Sequence, residues 1–188
     1  MQFFTGSTSG RVVQDSTLET GKQTTAIKKE VVSVVLVGGA AYISGNTAGL
    51  TSYFGLPGPV ASTLGGRWVS IQPTDSSFQS ISANVDLTSA LANVTPGGTL
   101  VAGKRSHVDG KQVRSIGGDA PGGAGKLTLF TAANKRALPV EAVESSGSGK
   151  SVSGEIVTFT HWGERVHIAT PTAAVSLAAI QAASSASG

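Results

Sequence analysis

Between Gly10 and Ser44 the chain is rich in β-branched residues, and Val31-Val32-Ser33-Val34-Val35-Leu36-Val37 is apolar at nearly every position. Branching at Cβ restricts χ1 in a helix and suits a pleated backbone, so this block is predicted to form strands. Val32, Val34 and Leu36 would share one face and Val31, Val35 and Val37 the other, which predicts a strand covered on both sides. Gly38-Gly39 separates this run from Ala40-Ala41-Tyr42-Ile43-Ser44. A glycine pair between apolar runs predicts a hairpin, because both central positions accept φ > 0.

The pattern changes from Asn46 to Val94. Asn46 is placed to cap a short helix with Leu50, Tyr53 and Phe54 at helical spacing, which Gly55 stops and Pro57-Gly58-Pro59 redirects. A second short helix is expected from Val60 to Leu64. A strand follows from Arg67 to Ile71, with Trp68 facing away from Val69 and Ile71. Asp86 is a suitable cap for a further helix, Leu87 to Ala92, with Leu87 and Leu91 on one stripe. Helices this short and this poor in charge need an apolar surface to lie on.

From Thr99 to Pro171 the reading is a series of hairpins. Asp109-Gly110 is expected to join Val101–Val108 to Lys111–Ile116. Gly117 to Gly125 reads as a flexible loop. Further strands are expected over Lys126–Thr131, Leu138–Val143, Val152–His161 and Arg165–Thr170, with turns at Asn134-Lys135-Arg136 and Ser145–Gly149. In the last of these Val166 and Ile168 alternate with Arg165 and His167, one face dry and one wet. Pro171 ends pairing, Ala173–Ile180 forms a closing helical segment, and residues 181–188 form a flexible tail.

Strands, then short helices, then strands predict an α+β fold in a single domain over residues 1–180. About eight or nine strands, each twisted, would curl a long antiparallel sheet toward a half-barrel, with the short helices covering its concave face. That arrangement predicts a cavity. Leu50, Tyr53, Phe54, Leu56, Val60, Leu64, Trp68, Phe78, Leu87 and Leu91 are the residues expected to line or gate it as a ligand-binding set, together with Ile81. The alternative is that the same side chains complete a solid core.

Composition narrows the chemistry. The chain has 188 residues, enough for a sizeable core, with 39% hydrophobic and only 13% charged residues. Cysteine is absent, which excludes disulfide scaffolds, thiolate metal sites and cysteine nucleophiles. The net charge of +3 is spread over Lys28-Lys29, Lys104-Arg105, Lys111 with Arg114, and Lys135-Arg136. Aromatics are not interleaved among these pairs as a nucleic-acid stacking platform requires, although an anionic membrane surface would feel them.

Gly147-Ser148-Gly149-Lys150-Ser151 imitates the end of a phosphate-binding loop, but the position where the pattern needs its first glycine is Glu144. A strand is also expected to follow, so no helix N-terminus would meet a phosphate. His161 and His167 on one strand would lie about 20 Å apart, too far to share a metal, and His107 reads as a surface or edge histidine. There is no G-x-S-x-G elbow, and nothing brings Glu141 and Glu144 together as a catalytic acid pair. The chain therefore reads as a non-enzyme without catalytic residues, metal or cofactor.

The longest apolar stretch, Val31 to Ile43, is far shorter than the roughly 18 residues of a membrane-spanning helix. The opening Met1-Gln2-Phe3-Phe4-Thr5-Gly6 has no signal-peptide pattern. Serine and threonine make up roughly a quarter of the chain, and with so few charges this composition points to an exported protein.

Gly39-Ala40-Ala41-Tyr42-Ile43-Ser44-Gly45-Asn46, Leu50, Tyr53-Phe54-Gly55 and Gly66-Arg67-Trp68-Val69-Ser70 resemble the actinobacterial LppX/LprG-like exported lipoproteins of the LolA-like superfamily. Val108-Asp109-Gly110-Lys111, Leu138-Pro139-Val140 and His161-Trp162-Gly163-Glu164-Arg165-Val166 extend the resemblance over about Gly10 to Ile180. It implies a LolA-like half-barrel that holds a lipid or lipidated partner and moves it between membrane layers. The expected function is extracytoplasmic, non-enzymatic carriage of a lipid or acyl-chain ligand, with a membrane surface or envelope protein as partner and no nucleic acid. The alternative is a solid-core envelope interaction module. The family's signal peptide, lipobox cysteine and leading helix have no counterpart here, so either a truncated start or a degenerate relative is expected.

Overall fold

The structure is a computed structural model that describes residues 2–5, 8–83, 85–123, 125–148 and 151–185. In chain order its first elements are β1 (Gln2–Thr5), β2 (Thr8–Ser16), β3 (Gly21–Ile27), β4 (Glu30–Val37) and β5 (Ala40–Gly45). Then come α1 (Thr47–Phe54), α2 (Gly58–Leu64), β6 (Val69–Ile71), α3 (Phe78–Ser82) and α4 (Leu87–Asn93). The remainder is β7 (Gly97–Ala102), β8 (Ser106–Val108), β9 (Lys111–Asp119), β10 (Lys126–Ala132), β11 (Pro139–Ser148), β12 (Ser151–Thr158), β13 (Val175–Ser176) and α5 (Leu177–Ser185). The α+β class holds, with mostly antiparallel strands and short helices. Two compact units are present, Met1–Arg11 with Ala90–Arg165 and Val12–Ser89 with Val166–Gly188.

The unit containing Val12–Ser89 carries strands in the order β13-β6-β5-β4-β3, followed by β2. Val34 pairs with Ile43 and Leu36 with Ala41, and these in turn face Val69 and Ile71 on β6. Directly opposed residues share a face, so all six side chains point the same way. Leu50, Ala61, Leu64, Ile81 and Val85 cover that face and close the core. Val35, on the other face of β4, is also only 3% exposed, but Val31 on that face is 39% exposed, so the cover expected on both sides holds only along the second half of the strand. The Gly38-Gly39 hairpin forms with φ of 61° and 75°. β13 joins β6 in parallel.

In the other unit the order is β1-β12-β11-β10-β9-β7, with β8 also paired to β9. Leu129 opposes Ala142, which opposes Val157. These residues and Leu127 build a second core with Val94, Ala120 and Phe159. The Asp109-Gly110 turn forms with both residues at positive φ.

Five local readings need correction. Residues 165–170 are not a strand. His161 and Gly163 take φ of 58° and 82° and turn the chain, and the Trp162 indole donates to the Pro139 carbonyl at 2.8 Å. Val166 and Ile168 are nevertheless half-buried while Arg165 and His167 are exposed, so the alternation survives without a ladder. Gly117-Gly118-Asp119 is strand rather than loop, paired to Lys126–Thr128. Gly118 is needed because a β-carbon there would sit 2.5 Å from the Gly97 carbonyl oxygen. The Val101–Val108 strand is broken at residues 103–105 into β7 and β8, both on β9. Finally, α5 continues to Ser185, so residues 181–185 are helical. Of the turn expected at Ser145–Gly149, Ser145–Ser148 belong to β11, and residue 149 lies outside the described residues.

Candidate functional site

The apolar insert between β5 and β7 is built by strong local signals. Asn46 Oδ1 accepts from the Gly49 amide at 2.8 Å and the Val31 amide at 3.3 Å, while Nδ2 donates to the Lys29 carbonyl at 2.6 Å. One side chain thus caps α1 and ties it to the β3–β4 turn. Gly55 ends α1 in the left-handed region, its amide donating to Thr51. Pro59 lies in the first turn of α2, where a missing amide proton costs nothing. Asp86 accepts from the Ser89 amide at 2.8 Å and starts α4.

The far end of the insert is pinned to the sheet. Gly21 lies against the Val85 carbonyl so closely that any β-carbon would collide with it. The Ser16 hydroxyl donates to the same carbonyl at 2.8 Å. Gln14 Nε2 donates to Ser16 Oγ at 2.7 Å and Gln23 Nε2 to Gln14 Oε1 at 3.0 Å. Gln23 opposes Val34, so this polar chain shares the face that the helices cover. Sequence reading missed it; the alternation of Gln14 and Ser16 after Val12 was the available signal.

The ten expected ligand residues separate by environment. Leu50 is 0% exposed and Leu64 is buried, both inside the core cluster. Phe54, Leu56, Val60 and Phe78 pack on that cluster and stay partly exposed. Trp68 is half-buried outside the cluster, and its carbonyl accepts from the Val175 amide at 2.9 Å. Tyr53 is 41% exposed; burial, then the Glu30 carboxylate, raises its phenol. Leu87 and Leu91 are half-buried on a helix with no buried residue, and Leu91 belongs to the other unit.

Leu177 and Ile180 of α5 pack on the same buried cluster as Phe54, Leu56, Val60 and Phe78, and these six partly exposed side chains are its rim. The spacing of Leu177 and Ile180 in a helical segment was the legible sign of this. Beside Phe78, the Ser77 hydroxyl is buried with no hydrogen-bond partner among the described residues. An unpaired buried hydroxyl of this kind carries a desolvation penalty that a polar ligand atom could remove.

Elsewhere the chemistry is sparse. Glu144 opposes Glu155 across β11 and β12, and burial, then Glu144, raises the Glu155 carboxyl. Among the described residues no three His, Cys, Asp or Glu side chains group as a metal site. Nor is any described helix long and apolar enough to cross a membrane. No protein-family model matches the chain, and no curated protein matches it as a relative.

Proposed function

We propose that the chain is a non-enzymatic extracytoplasmic carrier of a lipid or another apolar ligand, held between the sheet and the helical insert. The observation that carries this reading is the half-buried rim of Phe54, Leu56, Val60 and Phe78, completed by Leu177 and Ile180, over a closed aliphatic layer. Short helices joined by Gly-Pro turns part at lower cost than paired strands, because fewer backbone hydrogen bonds cross between them. Leu50 and Leu64 form the floor on which the rim rests. The resemblance to LppX/LprG-like lipoproteins supports both the ligand class and the extracytoplasmic setting. On this reading the partners are an acyl-chain lipid and a membrane surface or envelope protein, without nucleic acid or cofactor.

Native mass spectrometry and organic extraction of the purified chain test the proposal. A co-purifying or added acyl lipid should be retained, and Phe78→Ser together with Val60→Ser should release it while the fold persists. No retention of any chain length would overturn it. The second reading, a solid-core envelope module, is favoured by the near-complete burial of Leu50, Val69, Ile71 and Val85. Absence of lipid, with an envelope partner captured through loop residues, would establish that reading instead.

A further inference from the structure

We infer that the β8–β9 and β10–β11 turns form a docking site for an anionic phospholipid surface. Register brings together three basic pairs that are far apart in sequence. Lys111 and Arg114 lie on β9. Lys104-Arg105 is held beside Arg114, because Gly103 bonds to Ser115 and Ser106 pairs with Val113 on either side of it. Lys135-Arg136 lies in the turn after β10, whose Thr131 pairs with Arg114; the Ala133 amide, just beyond β10, donates to the Gln112 carbonyl at 2.9 Å. Six of the chain's 14 lysines and arginines therefore occupy one end of one sheet, and all six are exposed.

The spacing makes them act together. Neighbouring strands are about 5 Å apart and Lys111 to Arg114 spans about 10 Å, comparable to the Debye length at physiological salt, so the charges share one field at the sheet's end although Lys111 and Arg114 point to opposite faces of β9. Acidic groups also belong to this end: Asp109 in the β8–β9 turn, Glu141 on β11, whose carboxyl is raised by burial and then by Asp109, and Glu164, two residues after the Trp162 that bonds to Pro139 at the β10–β11 turn. They leave a positive excess. No ion pair of the six basic groups is present among the described residues; the salt bridge found there joins Lys126 to Asp119.

Beside this cationic end the chain presents apolar surface. Leu100 and Val101, on the edge strand β7 just before Lys104, are 56% and 65% exposed. Edge strands are usually protected by charge or cover; this one is bare until Lys104. Leu100 and Val101, adjacent on a strand, point to opposite faces and so flank the open edge of β7. Basic groups next to this exposed apolar edge match a phospholipid surface met edge-on, where phosphates meet the cations and the interface accepts the aliphatic side chains. Duplex nucleic acid would use the charges but leave Leu100 and Val101 without a role. The inference uses residues of one unit alone and stands whether or not the helical insert holds a ligand.

The test is co-sedimentation of the full chain with phosphatidylglycerol-containing vesicles and with phosphatidylcholine vesicles, at low and high salt. Binding should require phosphatidylglycerol and weaken with salt. Paired Lys104→Glu/Arg105→Glu or Lys135→Glu/Arg136→Glu substitutions should weaken it about tenfold or more. Lys28→Glu/Lys29→Glu, an exposed basic pair in the other unit, should leave it unchanged, and circular dichroism should show every variant folded. Leu100→Ser/Val101→Ser should reduce the salt-resistant fraction. Equal binding to both vesicle types, or equal loss in the Lys28/Lys29 control, would overturn the inference. So would full retention in the Leu100/Val101 variant combined with equally tight binding to a DNA duplex.

Discussion

Gly49 of α1 lies against the carbonyl of Val31 on β4, and a β-carbon at that position would stand 2.5 Å from the oxygen and 2.7 Å from Val32 Cγ1. A helical glycine normally costs about 1 kcal/mol relative to alanine. Here it is what allows the helix to touch the sheet. Gly49→Ala gains that propensity but forces backbone apart, and overpacking costs about 1–3 kcal/mol. We expect a net loss of up to about 2 kcal/mol in denaturant unfolding. Gly58→Ala, with nothing within 4 Å of the added carbon, should show no loss.

Asn46 gives a second prediction. Its side chain satisfies α1 and the β3–β4 turn at once, so Asn46→Ala should cost about 1–2 kcal/mol, the upper range for a cap. Asn46→Asp keeps the acceptor for Gly49 but places a carboxylate oxygen against the Lys29 carbonyl, where Nδ2 now donates. It should therefore fall between wild type and alanine in urea midpoint. A variant series in which aspartate is as stable as asparagine would assign the whole effect to the cap.

How much of this was legible can be seen in particular residues. Gly55, Asp86, Asp109-Gly110 and the cap that Asn46 makes to Gly49 act locally, within a few residues, so the sequence displays both halves of the interaction; the bonds from Asn46 to Lys29 and Val31 are distant and were not legible. The face sharing of Val32, Val34 and Leu36 was legible for the same reason, since the strand period is two. What stayed hidden depends on distant partners. β1 is a strand through pairing with β12 and β2, and nothing in Gln2–Thr5 itself announces it. Gly117-Gly118 looked like loop because glycine is a poor strand former, yet the approach of Gly97 requires it. Within the candidate site, the apolar set was readable, but its division into floor and rim was not, because Leu50 and Phe54 differ only in what lies above them.

Glu155 sets a pH dependence. Its carboxyl is raised in the folded chain by burial and then by Glu144 opposite it. A carboxyl whose folded value lies above its unfolded value disfavours the native state once it must ionise. Its stabilising contribution is therefore fully present below the ordinary carboxylate value and is lost as pH rises through that value to the raised one. Glu155→Gln should melt higher than wild type at neutral pH, and the difference should vanish in acid. Glu144→Gln should move the titration of Glu155 back toward the ordinary range, which carboxyl-carbon NMR can follow. A Glu155→Gln variant with a pH-independent gain would place the effect in packing instead.

Trp162 replaces the missing final strand as the anchor of its segment. Its indole N–H donates to the Pro139 carbonyl, and its ring stacks on Phe159 with centroids 5.8 Å apart and planes 18° apart. Pro139 begins β11, so the contact fixes the chain after β12 to the strand two hairpin arms earlier. Trp162→Phe keeps a stacking ring but removes the donor, which should cost about 1 kcal/mol for one part-buried hydrogen bond. Trp162→Ala also removes the ring contact, worth a further ~0.5–1.5 kcal/mol beyond buried area, and should cost distinctly more. The difference between the two, measured by urea unfolding, separates the hydrogen bond from the stack. Equal losses would mean that the ring contributes nothing and that the positive φ at His161 and Gly163 already holds the turn.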